Sequence, residues 1–514
     1  SGSGGSSTGD ADPGGSLPCG HGSVSARVFL AERLLKEPHA GAPLKGLPKR
    51  YVVMSTSKGA IDAFRRVSGQ TRHWADTPGW TVVVLAVGLA IRLAALTWLA
   101  PQPLTDDAVD YHALALALIS GEGFEADWPP GLPLSLAPFY WILGAKIWVA
   151  RAVMVGWWLA FCALLFLLTR AAGGRRAANF SLALFAAYPV FVLFSVAPLT
   201  PLPMAASLLA VLWSALACTR AAPGRPTAMA GLLLGAALGY AVLIRPSSVT
   251  VMFGVPAIIY LRRRRLAASA LAVALALAIV GAWVGYAHKV TGRLVLVSDA
   301  NARNLYYGNS PWTPLYRTWW FGSHKFPEGG VPEAFARELE RINQLPPKER
   351  DATFVSGVLA QIRARPDLFI LRSLARVRTF FAFDSNTASF LRRQTRARTP
   401  TILAVLVCDA VHFGAIVMLA IALLLSRWRG EHGLLGSHGD LVVLALGISL
   451  LYALPYWLSF AHPNYHVPVV AVLGVLAGLS LSRTDRPNRL PLIVVGLLLL
   501  LIQLEWALDM SGRL

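Results

Sequence analysis

Residues 249–288 read VTVMFGVPAIIYLRRRRLAASALAVALALAIVGAWVGYAH, two apolar runs parted by the arginines at 262–265. A helix of this composition offers water no polar face, because charge appears only where the runs are interrupted. Inside a bilayer the same pattern is favourable: about 20 apolar residues cross the hydrocarbon, and a helix satisfies its own backbone. Arginines clustered between two such runs mark a connection that stays cytoplasmic.

With these two runs, candidate spans lie near 80–100, 148–169, 178–197, 202–219, 228–244, 247–261, 266–287, 401–426, 440–459, 467–482 and 490–508, eleven in all. The whole chain agrees with them. Of 514 residues 55% are apolar and 14% charged, with a mean hydropathy of +0.53, more apolar surface than a soluble chain of this length can bury. The net charge of +20 is spread between apolar runs. It does not form a basic patch interleaved with stacking aromatics, which argues against a nucleic-acid partner. Cys162, Cys218 and Cys408 fall inside apolar runs and Cys19 in the leading tail, a pattern of small buried side chains with no metal spacing or disulfide framework.

Lys49, Arg50, Lys58, Arg65, Arg66 and Arg72 precede the first run, so that segment is expected in the cytoplasm. Alternation then gathers 170–177, 220–227, 262–265, 427–439 and 483–489 on the same side, and all of these are basic. The segments 101–147, 198–201, 245–246, 288–400 and 460–466 fall on the far side. The apolar stretch 131–147 has to be a surface helix, since an extra crossing there would export Arg262–Arg265. A second surface helix is expected over 105–120, capped by Thr105, with Asp106 and Asp107 where the helix dipole favours negative charge.

The expected organisation is a cytoplasmic tail over 1–79, a transmembrane core over 80–287, a far-side domain over 288–400 and final transmembrane helices over 401–514. The fold class is an all-α polytopic membrane protein of about 11 transmembrane helices, with a small α/β or irregular outer domain. Within that domain PEAFARELERINQLPPKER reads as a soluble helix bounded near Pro332 and Pro346. The opening run SGSGGSSTGDADPGG has linker composition. Met54 is the expected natural start, with the residues before it a translated upstream region or added sequence.

Polar chemistry gathers just beyond the first span. Asp106, Asp107 and Asp110 are clustered there, and Asp107, Asp110 and Tyr111 share a face at helical spacing. One such aspartate is most simply a helix cap. Three beside a membrane surface suit a general base or a cation site, because like charges this close raise one pKa. Whether a divalent cation is bound stays open.

The run Asp107-Ala-Val-Asp110-Tyr111, followed by Gly121-x-Gly123-Phe124 and Trp128-Pro129-Pro130-Gly131-Leu132-Pro133, resembles the first outer loop of the GT-C superfamily. The likeness is to its protein O-mannosyltransferase and aminoarabinose-transferase type, lipid-carrier-dependent glycosyltransferases of the family 39/83 kind. Leu243-Ile244-Arg245-Pro246 resembles that group's Leu-x-Arg-Pro element. Thr291-Gly292-Arg293 with Asn304-Leu305-Tyr306-Tyr307-Gly308-Asn309-Ser310-Pro311 resembles the opening of its outer domain, and Asn464-Tyr465-His466-Val467-Pro468 its late Arg-Tyr-Arg-x-Pro element. The order holds over about residues 80–480. Three departures stand out. The usual Asp-Glu pair is Asp106-Asp107, the second outer loop reads Ala197-Pro-Leu-Thr200-Pro with no carboxylate, and the late arginines are replaced by Asn464 and His466.

The resemblance implies attack of an acceptor hydroxyl on the anomeric carbon of a polyprenyl-phosphate sugar, with inversion, on the periplasmic side of a bacterial inner membrane. Such a reaction needs a base near the nucleophile and positive charge near the departing phosphate. Asp107 is the expected base, with Asp106 or Asp110 orienting it. Arg245 is the first expectation for the phosphate, with Arg293, Arg303, His462 and His466 after it. Tyr111, Tyr306, Tyr307, Asn309 and Tyr465 are expected around the substrate, although tyrosines and Trp312 also favour a membrane interface for its own sake. The acceptor, whether glycan, lipid or protein, and the sugar are open. The rival reading is a transporter or flippase of lipid-linked sugars, for which Asp409 and His412 lie one turn apart inside a span.

Overall fold

A computed structural model of the chain describes residues 74–99, 102–122, 128–298, 300–315, 332–395, 397–428, 439–483 and 489–511. All of them belong to the compact unit Arg65–Leu514. The expectations about the tail, Met54 and Cys19 lie outside the described residues.

Among the described residues nine helices are long and apolar enough to cross a membrane, and the chain is a helical multi-pass membrane protein. They include α1 (Pro78–Leu99), α4 (Ile147–Ala186), α6 (Pro201–Arg220), α7 (Arg225–Ile244), α9 (Leu266–Thr291), α15 (Thr399–Trp428), α16 (Gly439–Leu458), α17 (Val467–Ser482) and α18 (Arg489–Ser511). The apolar span at α17 begins earlier, at Pro463, and those at α15 and α18 end at Ser426 and Leu508.

Nine against the expected eleven has two causes. The runs expected at 148–169 and 178–197 belong to one 40-residue element, α4, whose helical geometry fails at Gly174, at φ 78° and ψ −179°. The chain doubles back there. Thr169 and Ser181 touch through their hydroxyls at 3.3 Å, whereas twelve residues of straight helix would separate them by about 18 Å. Phe161 packs on Phe185 and Phe191, each at 5.2 Å. Gly174 takes the positive φ that makes this reversal, and the second arm continues into the short α5 (Pro189–Phe194). The other missing span, 247–261, is the 15-residue α8 (Val249–Arg263), led in by a 3-10 turn at Pro246–Ser248.

The helices at the centre of the bundle are α6 and the Pro463–Ser482 span, the most deeply buried of the nine. Small residues set the closest approaches, as expected where lipid gives no hydrophobic drive between helices. Gly231 and Gly235 on α7 face Ala268 and Ala272 on α9, so near that a Cβ at either glycine would lie 2.7 or 2.6 Å from a carbonyl oxygen. One charge is embedded in α1. The fully buried Arg92 lies 4.1 Å over the Trp158 ring and donates to the carbonyls of Gly88 and Ala186 at 2.9 and 2.7 Å. An arginine within a span needs such partners.

Two shorter helices follow α1. The first, α2 (Asp107–Ser120), is preceded by Asp106 as its N-cap residue, which makes no side-chain cap bond. The expected Thr105 cap is therefore displaced by one residue, Thr105 contributing only its carbonyl, to Ala108 N–H at 3.3 Å. The second, α3 (Gly131–Leu143), has 13 residues and is too short to cross. It is pinned at its start. Tyr240 donates to Gly131 O at 2.8 Å, and a Cβ at Gly131 would meet the backbone N of Ile244 at 2.5 Å. Replacing Gly131 with Val is expected to lower stability by about 1–3 kcal/mol, the usual cost of overpacking. Thermal unfolding in detergent measures this, and an unchanged midpoint would show that the two helices can part.

The domain expected on the outer side, as α/β or irregular, is helical among its described residues. It comprises α10 (Ala300–Asn309), α11 (Glu333–Asn343), α12 (Pro347–Ala364), α13 (Pro366–Phe380) and α14 (Asn386–Thr395). Pro332 and Pro346 bound α11 as read from the sequence, and Pro347 opens the next helix. Arg376 of α13 ties the domain down. Its guanidinium donates to Gly308 O, to Leu458 O at 3.0 Å and to Asn309 Oδ1 at 3.0 Å, satisfying carbonyls at the C-terminus of α16.

Candidate functional site

A cavity of about 1670 Å³ opens at one end of the bundle. Its wall takes residues from each of five separate connections: Asp106, Asp107 and Trp128; Thr200; Arg245; the outer domain; and Phe460, His462 and Asn464. At the opposite ends of α8 and α16, Arg262 and Arg263 clamp Asp440 at 3.1 and 2.7 Å.

Arg245 sits where it does because of Pro246. A residue before proline is driven out of the α region, so α7 stops at Ile244 and Arg245 is extended, at φ −144° and ψ 111°. Its guanidinium is buried, with the residue 8% exposed. Nε donates to Thr200 Oγ1 at 3.2 Å, and Nη1 to the hydroxyls of Tyr452 at 3.0 Å and Tyr456 at 3.4 Å. The Tyr465 ring lies 5.2 Å from it, and Ser247 donates to Tyr456 at 2.7 Å. All of these partners are neutral. Among the described residues this buried cation bonds only hydroxyls, which do not balance its charge.

Asp107 is the first residue of α2, and Asp107 and Tyr111 both line the cavity. Burial, then the Asp107 charge, push the Tyr111 phenol above its usual range, so it remains a neutral hydroxyl. Trp128 meets Tyr111 edge-on at 5.4 Å. Asp106 has φ 55°, a conformation that costs a non-glycine residue about 1–3 kcal/mol. Its carboxylate is held by Arg393 of α14 at 3.1 Å.

The outer domain closes the far wall with Arg303, Asn304 and Tyr307 from α10, Glu340 and Asn343 from α11, and Asn386, Ser389, Arg392 and Arg393 from α14. Leu193, Phe194, Leu406 and Pro455 give the same chamber an apolar side.

Of the residues singled out by sequence, Asp106, Asp107, Tyr111, Arg245, Arg303, Tyr307, His462 and Tyr465 come together here. Others do not. Asp110 is exposed and outside the wall, because on the helix Asp110 and Tyr111 flank Asp107 on opposite sides, and the cavity lies on the Tyr111 flank. Arg293 is also outside the wall. Tyr306 is buried in the outer-domain core, bonding Glu338 at 2.7 Å. Asn309 donates to Leu305 O and Leu458 O, at 3.1 and 3.0 Å. His466 is buried behind the wall with Nδ1 bonded to Phe380 O at 2.8 Å. Among the described residues no three His, Cys, Asp or Glu side chains are grouped to hold a metal ion.

Sequence reasoning missed Arg393, Tyr452, Tyr456 and Ser247. The basic run Arg392-Arg393 was a signal for the first, while the tyrosines read only as apolar filling of α16. Replacing Arg393 with Ala is expected to leave unfolding within about 1 kcal/mol of the parent, since both partners keep contact with water. Parallel thermal melts of the two proteins check this.

No family model matches the chain, and no curated protein does. Solved structures to which it is similar include ArnT from Cupriavidus metallidurans bound to undecaprenyl phosphate, at 17% identity and a TM-score of 0.40, covering 78% of each chain. The same protein in the apo state gives 18% and 0.36 over 78% of this chain and 77% of that one. The archaeal oligosaccharyltransferase AglB from Archaeoglobus fulgidus, in complex with an inhibitory peptide and a dolichol-phosphate, gives 16% and 0.39 over 83% of this chain and 55% of that one. Likeness at this level assigns no activity. The chemistry has to be argued from the site's own residues.

Proposed function

We propose that this chain is a membrane glycosyltransferase that moves a sugar from a polyprenyl-phosphate carrier to an acceptor hydroxyl, with inversion, at the periplasmic face of a bacterial inner membrane. The observation that carries this reading is Arg245, a buried cation with no carboxylate partner among the described residues, facing the same cavity as Asp107. A phosphate is the complement to such a guanidinium. In the proposed reaction Arg245 stabilises the negative charge that gathers on the leaving phosphate. Thr200, Tyr452 and Tyr456 hold the guanidinium in place.

Asp107 takes the proton from the acceptor hydroxyl as that oxygen bonds to the anomeric carbon and the bond to phosphate breaks. Direct displacement inverts the anomeric centre and needs no nucleophilic Ser or Cys. Asp106, paired with Arg393, neighbours the base. The apolar side of the chamber suits isoprenoid carbons, whose burial contributes about 25 cal/mol per Å². The orientation rests on the basic connections read from the sequence, which leave the cavity opposite the Arg262 and Arg263 pairs to Asp440.

A transporter reading has less support. Asp409 and His412 are both outside the cavity wall. Asp409 accepts from Val190 N–H at 3.1 Å, and His412 bonds the Cys408 carbonyl at 2.8 Å. The deciding experiment incubates the purified protein with a polyprenyl-phosphate sugar. Release of polyprenyl phosphate, or slow donor hydrolysis, supports transfer. Movement of intact donor across a vesicle membrane without turnover would overturn it.

A further inference from the structure

Behind the cavity wall lie two carboxylates that the proposed reaction does not use. Asp384 is in the turn between α13 and α14, and Asp409 is on α15; both are fully buried. Each has one oxygen engaged. Asp384 Oδ2 accepts from Asn386 N–H at 3.1 Å, and Asp409 Oδ1 from Val190 N–H at 3.1 Å. The other oxygens, Asp384 Oδ1 and Asp409 Oδ2, are buried with no hydrogen-bond partner among the described residues, and so are the hydroxyls of Tyr188 and Thr387. The two carboxylates act on one another, and both act on the buried Tyr188.

Several elements bring polar side chains to this region. From α15 come Cys408 and His412, the latter stacked on Tyr188 at 5.1 Å. From α18 comes the amide of Gln503, which donates to Phe381 O and accepts from Phe383 N–H, at 2.8 and 2.7 Å. From the start of α17 comes His466, packed on Phe413 at 4.4 Å. No described lysine or arginine acts on either carboxylate. Two buried negative charges without a cation repel and lose their hydration, so the pair has to acquire a positive charge.

We propose that Asp384 and Asp409 form a proton-binding site, holding one proton between them at neutral pH, with the buried Tyr188 hydroxyl in the field of both. The site joins three elements that also build the cavity. Asp384 precedes Asn386 and Ser389, Val190 precedes Leu193 and Phe194, and Asp409 lies on the helix of Leu406. When the proton leaves, repulsion between the carboxylates pushes these walls apart.

Burial pushes the Asp384 carboxyl well above the usual carboxylate range, up to about 7, while the Asn386 and Thr387 backbone N–H groups hold it back. The sign follows. With the folded pKa above the unfolded value of about 4, the stabilisation is full below that value and is lost as pH rises through about 7.

The experiment is infrared spectroscopy of the full chain in lipid from about pH 6 to about pH 9, with thermal unfolding followed from about pH 4 to about pH 9 so that both the unfolded and the folded values are crossed. The expected result is a protonated-carboxyl band at the acid end that disappears at the alkaline end and is missing from both Asp409→Asn and Asp384→Asn. The fall in unfolding temperature across that range should shrink in the same variants. The infrared readout on the parent chain keeps the test valid if a variant fails to fold. No such band at the acid end, or a stability that follows sodium or potassium in place of pH, would overturn the proposal.

Discussion

Asp107→Asn is expected to lower sugar transfer by roughly a hundred- to ten-thousand-fold, the range lost when a positioned general base is removed. Lipid-phosphate binding should change little. Asparagine keeps the shape of the side chain and its place at the first turn of α2, but cannot take the acceptor's proton. The controls are built into the same helix. Asp110 is exposed and outside the cavity, so Asp110→Asn should transfer at the parent rate. Asp106 is bound to Arg393 and neighbours the base, so Asp106→Asn should fall between the two. Rates of polyprenyl-phosphate release from a lipid-linked sugar, measured at saturating donor, separate these cases. Parent-like rates for Asp107→Asn and Asp106→Asn together would remove the catalytic assignment from this loop.

Arg245→Leu should act on the other half of the reaction. A charge-assisted hydrogen bond to a buried anion contributes about 1.5–3 kcal/mol, and each 1.4 kcal/mol or so is tenfold in affinity. Binding of a polyprenyl phosphate should therefore weaken by about ten- to a hundredfold, with transfer falling at least as far. Arg245→Lys makes a sharper comparison. Lysine keeps the charge but lacks the planar fork that reaches Thr200 on one side and Tyr452 with Tyr456 on the other. It should recover part of the binding and less of the turnover. Full affinity in Arg245→Leu, measured by titration of the lipid phosphate, would show that the phosphate sits elsewhere.

Much of the site was legible because it is built from local sequence features. Arg245-Pro246 states both a charge and the reason a helix ends beside it, and Asp107 with Tyr111 states a helix face. What misled the reading was also local. Asp110 looked equivalent to Asp107 by spacing, yet only one of them has the cavity on its side of α2. His466 looked like a phosphate ligand because it stands in a polar turn, but Phe380 O and Phe413 take it into the interior. Tyr306 and Tyr307 are adjacent in sequence and part ways for the same reason, one entering the outer-domain core and the other the cavity.

The sequence by itself determined that lipid is this protein's solvent and where the apolar runs break. It also set which connections carry arginine, because hydropathy, length and charge bias act over one helix at a time. Tertiary structure alone decided which side chains meet. Asp106 finds Arg393 across 287 residues, Arg245 finds Tyr452 across 207, and Asp384 is buried with Asp409. Such pairings depend on how helices cross and how tightly small residues let them approach, and no local pattern encodes a distance between segments that far apart in the chain.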